Sequence, residues 1–213
     1  MKSGYKAVAV AALAAAAATA QAGGIGLRVG TTGVGADLGF GIVPTLGGRI
    51  GISGMSLSTD VVDTSEVDYE AKAKILTGAL LLDWSPLGPF RISGGFMPHK
   101  NKVDLSGTPT SGSRFAAGTR LSGEVKPDKS FAPYLGIGWG NVWTKGVNFY
   151  FDLGVMFQGS PKVNLSLDCG PSATPAQCAA AQAQVEGERQ RVEDKIDKYK
   201  YYPVANIGLT IGW

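Results

Sequence analysis

From Gly24 onward one pattern constrains everything else. Segments of about ten residues alternate apolar side chains with small or polar ones, and turns rich in Pro and Gly or longer polar loops separate them. Val147–Gln158 is the cleanest case. Val147, Phe149, Phe151, Leu153, Val155 and Phe157 take one face, and Asn148, Tyr150, Asp152, Gly154, Met156 and Gln158 take the other. Val34–Val43, Phe131–Trp143 and Lys200–Trp213 repeat it. Successive side chains of a strand point to opposite faces, so each segment reads as a strand with one uniformly apolar side. The segments run about 10 to 16 residues, whereas globular strands average five or six and a tilted membrane strand needs about 9 to 11.

The second face separates a soluble sheet from a membrane one. It carries glycine and a few charges of both signs, and only 17% of the chain is charged, against about 25% for an ordinary soluble domain. Aromatic residues gather at segment ends: Trp84, Phe90, Trp143, Phe149, Phe157, Tyr201, Tyr202 and Trp213, as in the interfacial girdles of membrane barrels. Hydrocarbon cannot satisfy an open sheet edge, so such a sheet has to close. The expected fold is all-β, a closed antiparallel up-and-down transmembrane β-barrel. Counting segments gives about ten strands from five hairpins. Eight is the alternative, if the short first hairpin or Lys162–Leu167 is irregular. Short turns at 44–46, 85–89, 127–129 and 159–161 alternate with mostly longer loops at 57–66, 106–113 and 168–198, with 31–33 and 144–146 as short exceptions.

Residues 1–22 read as a secretory signal peptide. Lys2 and Lys6 precede an apolar run from Ala7 to Ala18, and Ala20-Gln21-Ala22 is a small-x-small cleavage site. That leaves 23–213 as one barrel domain. Its net charge falls from +3 to about +1 once Lys2 and Lys6 are set aside, which gives no electrostatic reason for a nucleic-acid partner. Cys169 and Cys178 are the only cysteines, and in an exported chain they are expected to form one loop disulfide. Within 174–198 the spacing of Val185, Val192, Ile196 and Tyr199 predicts a surface helix inside the last long loop, with Asp194 and Lys198 as an i,i+4 pair.

The Gly30-Thr31-Thr32-Gly33-Val34-Gly35-Ala36-Asp37-Leu38 opening, the Leu82-Asp83-Trp84 stop before a Pro turn, and the terminal alternation ending in Trp213 carry a likeness. Together with the signal peptide, they make the chain resemble small outer-membrane β-barrel proteins of Gram-negative bacteria over essentially its whole mature length. The resemblance implies an outer-membrane location and contact with lipid and lipopolysaccharide. It also implies that Ile207, Leu209, Ile211 and Trp213 serve as the signal read by the barrel-assembly machinery. Phe is usual at that last position, and Trp213 departs from it.

Catalytic chemistry finds little purchase. His99 is the only histidine, and Met97-Pro98-His99-Lys100-Asn101 shows no neighbouring Ser and carboxylate of the kind a nucleophilic site needs. Gly30–Gly35 lacks the Gly-Lys-Ser/Thr ending of a phosphate loop. No cofactor, metal site or enzymatic activity is expected. The charges on the polar face are Asp37, Arg49, Glu70, Lys72, Lys74, Arg91, Arg120, Glu124 and Asp152. They are expected to line the lumen, either as a salt-bridged plug or as a narrow polar pathway. The acidic run Asp60, Asp63, Glu66 and Asp68 could hold a divalent cation between lipopolysaccharide phosphates, and Lys100 and Lys102 could meet those phosphates directly. The functional expectation is a non-enzymatic outer-membrane protein, structural or a narrow channel for small solutes or ions. The alternatives are a surface-interaction protein acting through 168–198 and, more weakly, a lipid-modifying enzyme.

Overall fold

The computed structural model describes residues 22–61, 67–109, 120–171, 173–196 and 200–213. Apart from Ala22, the expected signal peptide lies outside the described residues, as do Asp63 and Glu66 of the acidic run. The strands are β1 (Gly23–Gly30), β2 (Gly33–Val43), β3 (Leu46–Val61), β4 (Val67–Leu87), β5 (Phe90–Pro98), β6 (Lys102–Pro109), β7 (Arg120–Pro127), β8 (Phe131–Trp139), β9 (Gly146–Phe157), β10 (Pro161–Asp168) and β11 (Tyr201–Gly212). Among the described residues one helix, α1 (Pro175–Ile196), precedes β11.

All named strands pair antiparallel in one sheet, and eight of them close a ring. The ladder runs β1–β2–β3–β4, crosses from β4 to β5, β8, β9 and β11, and returns to β1. The remaining strands form an annex. β6 continues β5 along the upper half of β4, β7 pairs β6, and β10 pairs β7. The described residues form eleven strands, close to the ten expected, while the ring closes with eight, the alternative count, although neither the first hairpin nor Lys162–Leu167 is irregular. Pro127–Lys129 and Gly159–Pro161 are not hairpin turns. β7 and β8 do not pair with each other, and neither do β9 and β10. Each is one path interrupted at the rim, and the two interruptions lie side by side. Asp128 N–H donates to the Ser160 carbonyl at 3.1 Å, and Lys129 N–H to Gln158 at 3.3 Å. The break between β5 and β6 joins the same line, with His99 N–H on Ser130 O at 2.8 Å. The loop expected at 57–66 also begins later, because β3 stays paired with β4 as far as Val61.

Polarity explains why the breaks fall on one line. In the ring, outward side chains are apolar and exposed: Leu27, Ile52, Leu82, Leu135, Ile137, Phe151 and Ile207. β4 keeps its alternation through the rim, yet its outward set changes from Trp84, Leu82, Leu80 and Leu76 to Lys74, Lys72 and Glu70. The opposite face changes from Asp83 and Thr77 to Ile75, Ala73 and Ala71. β5 and β6 invert at the same level, from Phe96 and Pro98 to Lys100 and Lys102. An apolar exterior is stable only against hydrocarbon, and a charged one only against water. The inversion therefore marks the membrane edge, with the annex on the water side. Near that edge Phe96 stacks on Phe131 and Phe157 meets Tyr201 edge-on, with ring centroids 4.9 Å and 5.6 Å apart respectively. Trp84, Trp139, Phe149 and Trp213 lie exposed toward the opposite, short-turn end.

The edge of the annex is covered locally. Thr174 and Gln177 cap α1 reciprocally, with Thr174 N–H on Gln177 Oε1 at 3.0 Å and Gln177 N–H on Thr174 Oγ1 at 3.3 Å, ahead of Pro175, which suits a first helical turn. The Cys169–Cys178 disulfide ties the incoming strand to that first turn. α1 packs on β10, and its Glu193 accepts the Val163 N–H at 3.0 Å, which protects a strand that pairs on one side only.

Candidate functional site: the charged layer inside the ring

The inside of the ring is filled in three layers. Toward the loop end, Ala79, Leu81, Met97, Ala132, Tyr134, Met156 and Val204 form a buried apolar cluster. At the short-turn end the connection between β8 and β9 folds inward, burying Val142 and Trp143. Trp143 therefore belongs to the interior and not to the exposed girdle expected for it. Glycine makes the room. A Cβ on Gly47 would stand 2.6 Å from the Trp143 ring, and one on Gly39 2.6 Å from Val142 Cβ.

Between these layers lie three arginines and three aspartates, none more than 3% exposed. Strand alternation aims them inward: Arg28 from β1, Asp37 from β2, Arg49 from β3, Asp83 from β4, Arg91 from β5 and Asp152 from β9. Arg49 is the hub. Its Nη1 lies 2.6 Å from Asp152 Oδ2, its Nη2 3.1 Å from Asp152 Oδ1, and its Nε 3.0 Å from Asp83 Oδ2. That last contact is an ion pair lying off the N–H axis, so Nε has no aligned acceptor. Arg91 Nη2 meets Asp152 Oδ1 at 2.5 Å, and Arg91 Nη1 donates to the Gly140 carbonyl, tying the layer to the inward-folded connection. Ser93 donates to Asp83 at 2.5 Å. Arg28 pairs with Asp37 at 2.7 Å, and the Tyr150 hydroxyl donates to the other Asp37 oxygen at 2.5 Å. The Tyr150 ring joins the two groups, since the Arg49 and Arg91 guanidinium carbons stand 5.8 Å and 5.7 Å from its centroid. It has space because Gly208 has no side chain. A Cβ there would fall 2.3 Å from Tyr150 Cε1.

Three positive and three negative charges cancel, as buried charge requires. Their side chains, bonded to one another, occupy the middle of the ring.

Of the nine charges expected to line the lumen, Asp37, Arg49, Arg91 and Asp152 lie in this layer. Glu70, Lys72 and Lys74 lie on the part of β4 that extends past the ring to pair with β6, and Arg120 and Glu124 lie on β7 of the annex. They share alternation with the lumen charges but sit beyond the membrane edge, where the same charges meet water. Sequence reading missed two members. Arg28 had the right alternation and was passed over. Asp83 follows Leu80-Leu81-Leu82, where the period blurs because Leu81 joins the interior apolar cluster. His99 sits at the rim, 4% exposed, with both ring nitrogens lacking a hydrogen-bond partner. Among the described residues, no group of three or more His, Cys, Asp or Glu side chains is placed to hold a metal ion.

No family model matches this chain, and no curated protein does. Solved structures share its fold, two of them from one organism. A crystal structure of CarO from Acinetobacter baumannii is 23% identical, with a TM-score of 0.60 over 89% of this chain and 97% of that one. A crystal structure of Acinetobacter baumannii CarO2 is likewise 23% identical, with a TM-score of 0.61 over 90% and 98%. The likeness shows that this chain has the fold of an outer-membrane β-barrel.

Proposed function

We propose that the protein is a non-enzymatic outer-membrane barrel whose ring is a closed membrane anchor, with its working surface in the annex above the rim. The observation that supports this reading is the six-charge layer, buried and neutral at mid-height between an apolar layer and an inward-folded mouth. An eight-stranded ring has an interior just wide enough to fill with side chains, and this one is filled. A narrow path for ions or small solutes would require the Arg49 and Arg91 pairs with Asp152 to part, which makes the layer the gate of any channel the barrel forms. Planar-bilayer recording on the refolded protein tests this. The wild type is expected to stay silent, and Arg49→Ala with Asp152→Ala to pass current. Steady conductance from the wild type would remove the closed-anchor reading and favour the channel.

A second reading draws on the annex. A sheet of several strands, braced by a disulfide-tied helix and raised above the membrane, offers a surface for a partner outside the cell. Removing residues 175–196 should leave barrel assembly intact while abolishing any such binding; unchanged binding would reject it.

A further inference from the structure

Two cavities flank the β5–β6 path, the lower beside β5 toward β3 and β4 and the upper at the rim between the β5–β6 and β7–β8 breaks. The lower is an apolar groove of about 380 Å³. Its walls include Phe40, Leu80, Leu82 and Phe96, and its floor includes Gly48 and Gly94. Gly48 and Gly94 are the cross-strand partners of Leu82; the Phe40 ring covers Gly48, where a Cβ would fall 2.3 Å from it, so the open floor of the groove is at Gly94. A Cβ on Gly94 would meet nothing nearer than the Tyr134 carbonyl at 4.0 Å. The upper cavity is a cleft of about 220 Å³ at the rim, lined by Lys100, Asn101, Lys102, Lys126 and Lys129 among others. Its frame is the pair of strand breaks, fixed by His99 N–H on Ser130 O and Lys100 N–H on Leu76 O, both at 2.8 Å.

The charge in the cleft is not internally balanced. Lys102 pairs with Asp104 at 2.9 Å and Glu124 at 3.4 Å, and Lys126 with Glu124 at 3.1 Å. Lys100 and Lys129 are exposed and have no ion-pair partner among the described residues. Asp104 is shared with Lys74 at 3.5 Å and the adjacent Asp128 is taken by Lys162 at 2.5 Å, so the unpaired ammonium groups of Lys100 and Lys129 give at least the two charges that match one phosphate monoester, which carries roughly −1.5 to −2 at neutral pH. Alternation places Lys100 and Lys102 on the same outward side as Phe96, a few residues further along one path. A ligand that used both cavities would be anionic at one end and apolar below it, oriented as a lipid is in the bilayer.

We propose that this is a lipid site: a phosphate monoester of a lipid headgroup sits among Lys100, Lys102, Lys126 and Lys129, and one of its acyl chains lies in the groove over Gly94, beside Leu80, Leu82 and Phe96. The inference rests on the membrane placement of the ring and is independent of whether the ring conducts.

Native mass spectrometry of the full folded chain in detergent tests it, with long-chain phosphatidic acid, dioctanoyl phosphatidic acid and inorganic phosphate as separate probes. Retained heat-modifiable migration on gels checks that each variant is folded. Wild type should retain long-chain phosphatidic acid best and inorganic phosphate least. Lys100→Gln with Lys129→Gln removes two charges without breaking an ion pair and should weaken both phosphatidic acids about tenfold or more, the scale of losing charge-assisted bonds. Gly94→Leu fills the groove and should abolish the advantage of the long chain while leaving dioctanoyl binding. Equal retention of all probes by wild type and the double lysine variant would overturn the site. Binding of inorganic phosphate as strong as that of the lipids would overturn its assignment to lipid. Should the double lysine variant fail to migrate as a folded barrel, Lys100→Gln alone, at an exposed position, tests the cleft, and unchanged retention of phosphatidic acid by it would overturn the site.

Discussion

Arg49 shows how much one residue can hold in a buried layer. It faces Asp83 and Asp152 at once, so removing it leaves the single charge of Arg91 to balance two buried carboxylates. Arg49→Ala should destabilise the barrel by about 3–5 kcal/mol in urea unfolding from micelles, the usual cost of orphaning a buried partner. A loss under about 1 kcal/mol would mean that water enters the layer freely and screens it as it does surface pairs. Carboxylates on the annex behave differently because they are solvated. Hydrogen bonds from Lys102 hold Asp104 below the ordinary carboxylate range, and those from Lys126 and Lys162 do the same for Glu124 and Asp128. Depressed carboxylates stabilise the folded form above their unfolded pKa and lose that contribution as pH falls through the lowered value. Amide-exchange protection of β6 and β7 should therefore hold at neutral pH and decline only below the normal Asp and Glu range, while the ring strands stay protected.

At the scale of elements, the strand breaks and the helix decide what lies outside the membrane. The breaks at 99–101, 128–130 and 158–160 let β5, β8 and β9 leave the ring as β6, β7 and β10 without reversing direction. α1 then covers the side of β10 that no strand occupies. Its first turn depends on the short loop closed by Cys169 and Cys178, nine residues apart. Cys169→Ala with Cys178→Ala should raise hydrogen exchange through 175–196 and loosen the β10 edge, with a local cost of about 2–3 kcal/mol for a loop this short. Heat-modifiable migration should be unchanged, because no ring strand contains either cysteine. A ring that fails to form would show that the annex is needed to close it.

For the whole molecule, the controlling fact is inverted polarity below one line and ordinary polarity above it. Equivalent substitutions on the two sides should therefore differ. Ile137→Arg puts charge on the outward face of the ring and should cost about 2–4 kcal/mol in folding into lipid vesicles if it sits near the bilayer midplane. Ser106→Arg, exposed on the outward side of the annex, should be nearly neutral. Similar costs at both positions would place the membrane edge elsewhere. The same line separates the proposed headgroup cleft from the acyl groove.

Alternation along single strands was sufficient to read the class of fold, because period-2 patterning over membrane-length segments has few other solutions. Val147–Gln158 is β9 almost to the residue. The outward-facing set and the short segment between Cys169 and Cys178 also follow from local chemistry, as does a helix near 174–198. Strand count did not follow. A Pro-containing break and a Pro-containing turn look alike in sequence, and only the pairing of β7 with β10 instead of β8 tells them apart. Nor could alternation say which polar side chains are lumenal. Lys74 and Arg49 both interrupt apolar runs, but one meets water above the rim and the other meets Asp83 and Asp152 inside the ring. Sequence fixes the side of the sheet a residue takes. Its height relative to the membrane edge, and the partners that height brings, come from ring closure and stagger, which join strands far apart in the chain.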